Sequence, residues 1–324
     1  MPFADILGHD HVKAVLSRLI ERGRLPGSML LSGPAGVGKK KLAMAVARAL
    51  VCEAGGAEAC GRCGACLRSG KGIHADVFLI EPATATSIKI EQVRDAVGNI
   101  LSRPFEGRSR AFVIDEAHLM TEQASNALLK ALEEPPATSH VMLVTASPQA
   151  LLPTIRSRCQ TLRVGALPAA LIEAHLRDSL GLDAGEAHLR ASLSGGSLGY
   201  AIAFEAEAYR GVRDGVLGLL ESLPGGNGLQ RIESAEWLED LDQPALALAA
   251  IRSLLRDVTA LAAGADPATL LNTDVAARLA GIARGPLSQR ALSICDAASE
   301  AQEALRGNAN KLLTMDAFVD VVAG

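Results

Sequence analysis

Aromatic residues are scarce: one Trp, two Tyr and six Phe make up 3% of 324 residues. Ala and Leu stand in their place, a composition that favours helix. Long apolar runs are missing too. None approaches the ~18 residues that a membrane span needs, so no membrane role is expected. The N-terminal stretch lacks the shape of a secretion signal, because Asp5 and His9 interrupt it. A strong charge of either sign is also absent. The net charge of −4 argues against a surface given over wholly to nucleic acid, while leaving room for a local basic patch. Cysteine is sparse, with six in all, and four of them fall between positions 52 and 66. That crowding is not the spread framework of a disulfide-stapled secreted chain, and a cytoplasmic protein is expected. The length allows two or three domains.

Against that background, Gly33-Pro34-Ala35-Gly36-Val37-Gly38-Lys39-Lys40 stands out. It is a phosphate-binding loop whose last position departs from the pattern, which asks for Ser or Thr after the lysine. Gly33, Gly36 and Gly38 let successive backbone N–H groups curl around a phosphate, and Lys39 would reach the β- and γ-phosphates. The missing hydroxyl ordinarily ligates Mg²⁺. Lys40 cannot ligate a cation, and its charge would repel one. The loop reads as able to hold phosphate and poorly equipped to hydrolyse it. Its setting fits, with Met29–Ser32 reading as a buried strand. Leu42, Val46, Ala49 and Leu50 mark the apolar face of a following helix.

Cys52, Cys60, Cys63 and Cys66 lie among the glycines 55, 56, 61 and 64. Four thiolates complete a closed tetrahedral zinc site with no open position for catalysis, so zinc there would be structural. An iron–sulfur cluster or unliganded thiols are the other readings of the same residues. The loop carries only Arg62, Arg68 and Lys71 and no aromatic on which a base could stack, which weighs against a zinc-dependent nucleic-acid binder.

Ala111–Ile114 reads as a second buried strand, followed by Asp115-Glu116-Ala117-His118. Asp115 would hold Mg²⁺ through water and Glu116 would orient an attacking water. Asp115 could equally cap the helix that holds Ala124, Leu128 and Leu132. His118 reads as a local structural residue. A third strand, Val141–Val144, ends at Thr145, which would either touch a γ-phosphate or simply close the strand. Arg158 has two readings, a surface ion-pair residue or an arginine finger aimed at a neighbouring subunit's nucleotide.

Several of these stretches resemble the bacterial clamp-loader branch of the AAA+ ATPases: Ser157-Arg158-Cys159, Asn126–Lys130, Leu132-Glu133-Glu134-Pro135-Pro136, Ile88–Arg94, the four-cysteine insert, Phe3–His9 and Asn308–Leu312. The resemblance covers nearly the whole chain and is most specific across 104–160. Two subunit types of that branch share the motifs, an ATP-hydrolysing motor subunit (gamma/tau) and the delta-prime type. Lys40 inclines toward delta-prime, as does Gly199 where the motor subunit has a sensor arginine. So does the expected end of the chain after one helical domain. Gly36, Gly38, Lys39, Asp115 and Glu116 are all present, so ATP or ADP binding is compatible with this reading.

The resemblance implies an α/β AAA+ parallel-sheet domain at 1–164 with a zinc module at 52–66. It implies a small helical lid at 165–207, in which the glycines 195, 196 and 199 mark a helix-to-helix turn, and an all-α collar domain at 208–324. In that last region Leu217, Leu220, Leu246, Leu248, Ile251, Leu254 and Leu255 recur at helical spacing, Trp237 reads as core, and Pro224–Gly228 as a loop. The implied partners are gamma/tau and delta subunits in a hetero-pentamer, with the sliding clamp and primed DNA reached through the complex. The implied role is loading that clamp, with Arg158 donated in trans. An active ATPase is the reading of another class.

Overall fold

A computed structural model describes residues 2–83, 87–223, 226–241, 244–306 and 309–324. Internal contacts divide the chain into two units, Met1–Leu176 with Ser194–Ile202, and Arg177–Leu193 with Ala203–Gly324. The stretch 165–207 is thus shared between them.

In the first unit the apolar runs become strands. β1 (Ser28–Ser32), β2 (Val77–Ile80), β3 (Arg110–Ile114), β4 (Ser139–Thr145) and β5 (Gln160–Arg163) form one sheet in the order β2-β3-β4-β1-β5. Every pairing is parallel. β1, β3 and β4 are buried along their whole length. Continuous apolar sequence of this kind suits a parallel sheet covered on both faces. Because successive side chains alternate, the same strands feed two cores. Met29, Leu31, Ala111, Val113, Met142 and Val144 face one. Leu30, Phe112, Ile114, Val141 and Leu143 face the other. The edges are short, and β5 is polar and largely exposed, which discourages further strand pairing.

Helices cover both faces. α1 (Asp10–Glu21) and α2 (Lys39–Val51) supply Val12, Leu16, Leu42 and Val46 to the first core. The short α3 (Gly64–Gly70) follows. α4 (Ile90–Ile100), α5 (Glu122–Glu133) and α6 (Pro153–Arg158) supply Val93, Ile100, Leu128, Leu132 and Ile155 to the second. The Thr121 hydroxyl caps α5 by accepting the Ala124 N–H at 3.2 Å, so the capping role considered for Asp115 belongs to Thr121. Pro135 and Pro136 stop α5 from continuing, while Pro153 opens α6, where its missing N–H costs nothing. Two buried strand hydroxyls close the helix ends: Ser139 donates to the Ile100 carbonyl at 2.7 Å and Ser28 to that of Leu132 at 3.2 Å.

The second unit is helical among its described residues. α7 (Ala169–Leu180) and α9 (Leu198–Ala203) run across the division, and α8 (Ala184–Leu193) lies between them in sequence. Then come α10 (Ala206–Ser222), α11 (Gly228–Asp240), α12 (Pro244–Ala262), α13 (Ala276–Ala283), α14 (Leu287–Arg306) and α15 (Lys311–Ala323). Leu217, Leu220, Leu248, Ile251, Leu254 and Leu255 are buried in one core, with Leu246 and Trp237 half-buried against it. Arg213 is buried and grips Asp274 through two hydrogen bonds of 2.8 and 2.6 Å. Asp257 accepts the backbone N–H groups of Leu271 and Asn272 at 3.0 and 2.8 Å. Together these tie the 270–275 segment to α10 and α12. Of the expected 224–228 loop, Pro224 and Gly225 lie outside the described residues, as does Asn308. Asn227 caps α11 by accepting the Gln230 N–H at 3.0 Å.

One buried carboxylate organises the approach to β3. Asp76 has no exposed surface and accepts the N–H groups of Phe105, Glu106 and Gly107 at 2.7–2.8 Å, along with Arg110 Nε at 2.8 Å. Burial alone would raise its pKa, but those donors hold it below the usual carboxylate value. Stability from this group is therefore present above the unfolded pKa of about 3.9 and lost as pH falls through the lower folded value. Asp76→Asn leaves Arg110 without its counter-charge. It should cost roughly 3–5 kcal/mol in urea denaturation at pH 7, with a smaller loss on acidification than the parent shows.

Candidate nucleotide site and cysteine cluster

The phosphate-binding loop leaves β1 at the carboxyl edge of the sheet, where open α/β folds place their ligands. The pairing of Ser32 with Thr145 fixes where it starts, and Gly33 N–H donates to the Thr145 carbonyl at 3.3 Å. A Cβ on Gly33 would stand 1.9 Å from the Val164 carbonyl oxygen, so only glycine passes there. After Gly38 the chain turns into α2. Lys39 is buried, and its Nζ donates to the Pro34 carbonyl at 2.6 Å, spanning the loop from inside. Burial draws its pKa below the ordinary lysine value, against the opposing pull of Glu116 and Asp115. Gly36, Gly38, Lys39, Lys40, Asp115 and Glu116 all line one cavity of about 340 Å³, which lies wholly within the first unit. That volume falls in the range of small-ligand sites.

Lys40 does not sit idle in place of the hydroxyl. Its ammonium forms an ion pair with Glu81, just beyond β2, and lies 3.4 Å from Asp115 Oδ2. Partial burial opposes the charge, but the two carboxylates prevail and raise the Lys40 pKa, so the ammonium stays protonated. The residues consequently do not fit a magnesium ion. The hydroxyl that would ligate it is missing, and the carboxylate that would hold it already faces a cation. Glu81 escaped the sequence reading, and its only signal was an acidic residue at the end of a partly exposed strand.

Glu116 adopts a left-handed backbone (φ +47°, ψ +45°), a conformation costing a non-glycine residue about 1–3 kcal/mol. Its carboxylate lies 3.4 Å from His118 Nδ1, which is 3.1 Å from the Thr145 hydroxyl. Thr145 is fully buried and accepts the Ser147 N–H at 3.0 Å. Thr145 and His118 thus form a hydrogen-bonded pair behind Glu116.

Gly199 lies inside α9, while Gly195 and Gly196 make the turn before it, so the turn expected from all three glycines uses two. The Gly199 N–H donates to the Gly36 carbonyl at 2.9 Å. A Cβ at 199 would come within 3.1 Å of Gly36 Cα. His9 Nε2 lies 2.8 Å from the Val37 carbonyl oxygen, so the loop is held by two backbone carbonyls in succession.

Arg158, the last residue of α6, does not line this cavity. Its Nε and Nη2 both reach Glu133 Oε1, at 2.8 and 2.6 Å, and Nη1 donates to the Thr154 carbonyl at 3.0 Å. Both side chains are partly exposed, and a pair of this kind contributes little to stability.

The cysteines do converge. Cys52 caps the end of α2, Cys63 caps the start of α3 and Cys66 lies on α3, so the cluster is part helix rather than all glycine-rich loop. The sulfur atoms of Cys52, Cys60, Cys63 and Cys66 lie within 4.8 Å of one another, and Cys60 and Cys66 are 4.0 Å apart. A tetrahedral thiolate site of zinc dimensions has edges of about 3.8 Å, so these residues could hold a metal ion. The backbone N–H groups of Arg62 and Cys63 pull the Cys60 thiol down to about 6, whereas burial pushes that of Cys66 up to about 12. A bound cation would offset the second penalty.

Residues 8–168 match a family described as "DNA polymerase III, delta subunit". A DNA polymerase III subunit tau of Salmonella typhimurium is 39% identical over 179 residues, which are 55% of this chain and 28% of that one. A DNA polymerase III subunit delta′ of Pseudomonas aeruginosa is 41% identical over 149 residues, 45% of each chain. A solved DNA polymerase III gamma subunit-related protein of Thermotoga maritima is 21% identical, with a TM-score of 0.41, over 96% of this chain and 98% of that one. The matches span less than half the length of these curated relatives. The matched segment carries the phosphate loop, the four cysteines, Asp115-Glu116 and Arg158. Over residues 8–168, just under half of the chain, the sequence is thus similar to the DNA polymerase III delta subunit family and to subunits named tau and delta′.

Proposed function

We propose that this chain is a delta-prime-like, cytoplasmic subunit of a DNA polymerase III clamp loader, one that does not hydrolyse ATP itself. The observation that carries the reading is the ion pairing of Lys40 with Asp115 and Glu81, where hydrolysis would need Mg²⁺. The close approach of Gly199 to Gly36 supports it, since a longer side chain at 199 would press on the loop. Gly33, Gly36, Gly38 and Lys39 would still hold ATP or ADP, with Asp115 at its border, Thr145 behind it in contact with His118, and Glu116 a vestige of the hydrolytic site. The four cysteines would hold a structural zinc. Residues 165–207 would serve as lid and 208–324 as collar, packing beside gamma/tau and delta subunits in a hetero-pentamer that opens the sliding clamp and sets it on primed DNA.

Arg158 would act in trans, placing a guanidinium where phosphoryl transfer on a neighbouring subunit develops negative charge. In other systems such fingers are worth about 10³–10⁵ in rate, and a loader paced by conformational steps should show less.

The second reading, an active ATPase of gamma/tau type, draws on the intact Lys39, Asp115 and Glu116 and on the tau relative. A loader whose motor subunits have lost their own phosphate-loop lysines separates the two. It should be silent if this chain does not hydrolyse. DNA- and clamp-stimulated turnover that persisted, and vanished with Lys39→Ala here, would establish the ATPase.

Two further outcomes are expected. In a loader with intact motor subunits, Arg158→Ala should leave assembly unchanged on a sizing column and lower steady-state ATP turnover roughly 10–100-fold. An unchanged rate removes the finger. Cys63→Ser should abolish stoichiometric zinc, measured by release to a chromogenic chelator, and lower the thermal midpoint. Zinc retained at one per chain would show that the four-thiolate assignment is wrong.

A further inference from the structure

Magnesium has two tasks in a phosphate-loop site. It neutralises the acidic residue at the end of the neighbouring strand, and it bridges the β- and γ-phosphates. In this chain the first task is already performed by a side chain. Lys40 is the second residue of α2, so its backbone belongs to the turn whose N–H groups face the phosphate. Its ammonium reaches across the ends of two strands to Glu81 after β2 and Asp115 after β3. Lys39 is buried and engaged with the Pro34 carbonyl inside the loop, so the two lysines do not compete for one position.

We propose that the cavity binds a nucleoside di- or triphosphate as its magnesium-free anion, with the Lys40 ammonium serving as a resident cation in place of the metal. The inference rests on the reading of this cavity as a nucleotide site and concerns the form of the ligand. Asp115 and Glu81, left bare, would repel the phosphates; paired with Lys40 they do not. A nucleotide arriving with Mg²⁺ would bring a divalent ion against an ammonium fixed a few ångströms away, in a site with no hydroxyl to ligate it. Magnesium should thus weaken binding, the reverse of its usual effect. The bound nucleotide would act as a structural ligand, because no Mg²⁺ would bridge its β- and γ-oxygens beside Lys39.

Calorimetric titration of the full-length chain with ATP tests this, once in EDTA and once in excess MgCl₂. Binding in EDTA should be about tenfold tighter than in Mg²⁺, the scale expected of a divalent and a monovalent cation brought together in a water-accessible site. Lys40→Thr restores the hydroxyl and frees Asp115, and should reverse the order, so that Mg²⁺ tightens binding. Lys40→Met should abolish the antagonism without creating dependence on Mg²⁺. If the parent chain binds ATP only with Mg²⁺, or more tightly with it, the resident-cation assignment is overturned and the nucleotide site stands. If neither the parent nor Lys40→Thr binds ATP in either buffer, the nucleotide reading itself fails and takes this inference with it.

Discussion

The Lys40 ammonium, ion-paired to Glu81 and 3.4 Å from Asp115, ties together the carboxyl ends of β2 and β3 and the first turn of α2. Each of those three places owes its position to the sheet. β3 runs beside β2 and β4, and β4 runs beside β1, in an unbroken parallel register. The strands deliver Glu81, Asp115 and the phosphate loop to the carboxyl edge of the sheet. A residue with no Mg²⁺-ligating atom at position 40 would leave two carboxylates facing an anion site; a lysine there settles their charge. On the reading proposed above, Lys40 would keep the electrostatics of phosphate binding tolerable while leaving no ligand at this position for the Mg²⁺ that hydrolysis needs.

The loop itself is held from several directions. Gly33 passes against Val164, Gly36 is bonded to Gly199, the Val37 carbonyl meets His9, and Lys39 crosses to Pro34. The first three contacts come from elements far apart in sequence and the fourth closes the loop on itself, and each uses a backbone carbonyl or a missing side chain rather than an apolar surface. Preorganisation of this kind lowers the ordering cost of receiving an anion. It also leaves little freedom for the loop to rearrange during a reaction cycle.

Legibility in the sequence followed apolar content. β1, β3 and β4 were visible because a strand buried on both faces must be apolar throughout. β5, written Gln160-Thr-Leu-Arg163, was not, because an edge strand of polar residues has no such signature. The phosphate loop and the cysteine cluster were legible by spacing, and Asp115-Glu116 only by following an apolar strand downstream of that loop. Their partners were not. Glu81 for Lys40 and Glu133 for Arg158 are single acidic residues brought close only by the fold. The Thr121 cap was hidden behind the more conspicuous Asp115, and Gly199 was read as turn because glycine usually is, although α9 continues through it. The helical character of the second unit was plain from the recurrence of Leu, whereas the Arg213–Asp274 pair that anchors one of its loops left no local trace.

Helix α2 begins at Lys39 and ends against Cys52, so the phosphate loop and the first cysteine of the cluster are the two ends of one rod. At 1.5 Å per residue its thirteen residues span about 20 Å. Leu42, Ala43, Ala45, Val46, Ala47 and Ala49 bury more than half of its circumference, so tilting or rolling it would open the core. A metal ion held at the cysteine end would therefore be felt at the loop, because the helix between them passes a displacement of one end to the other.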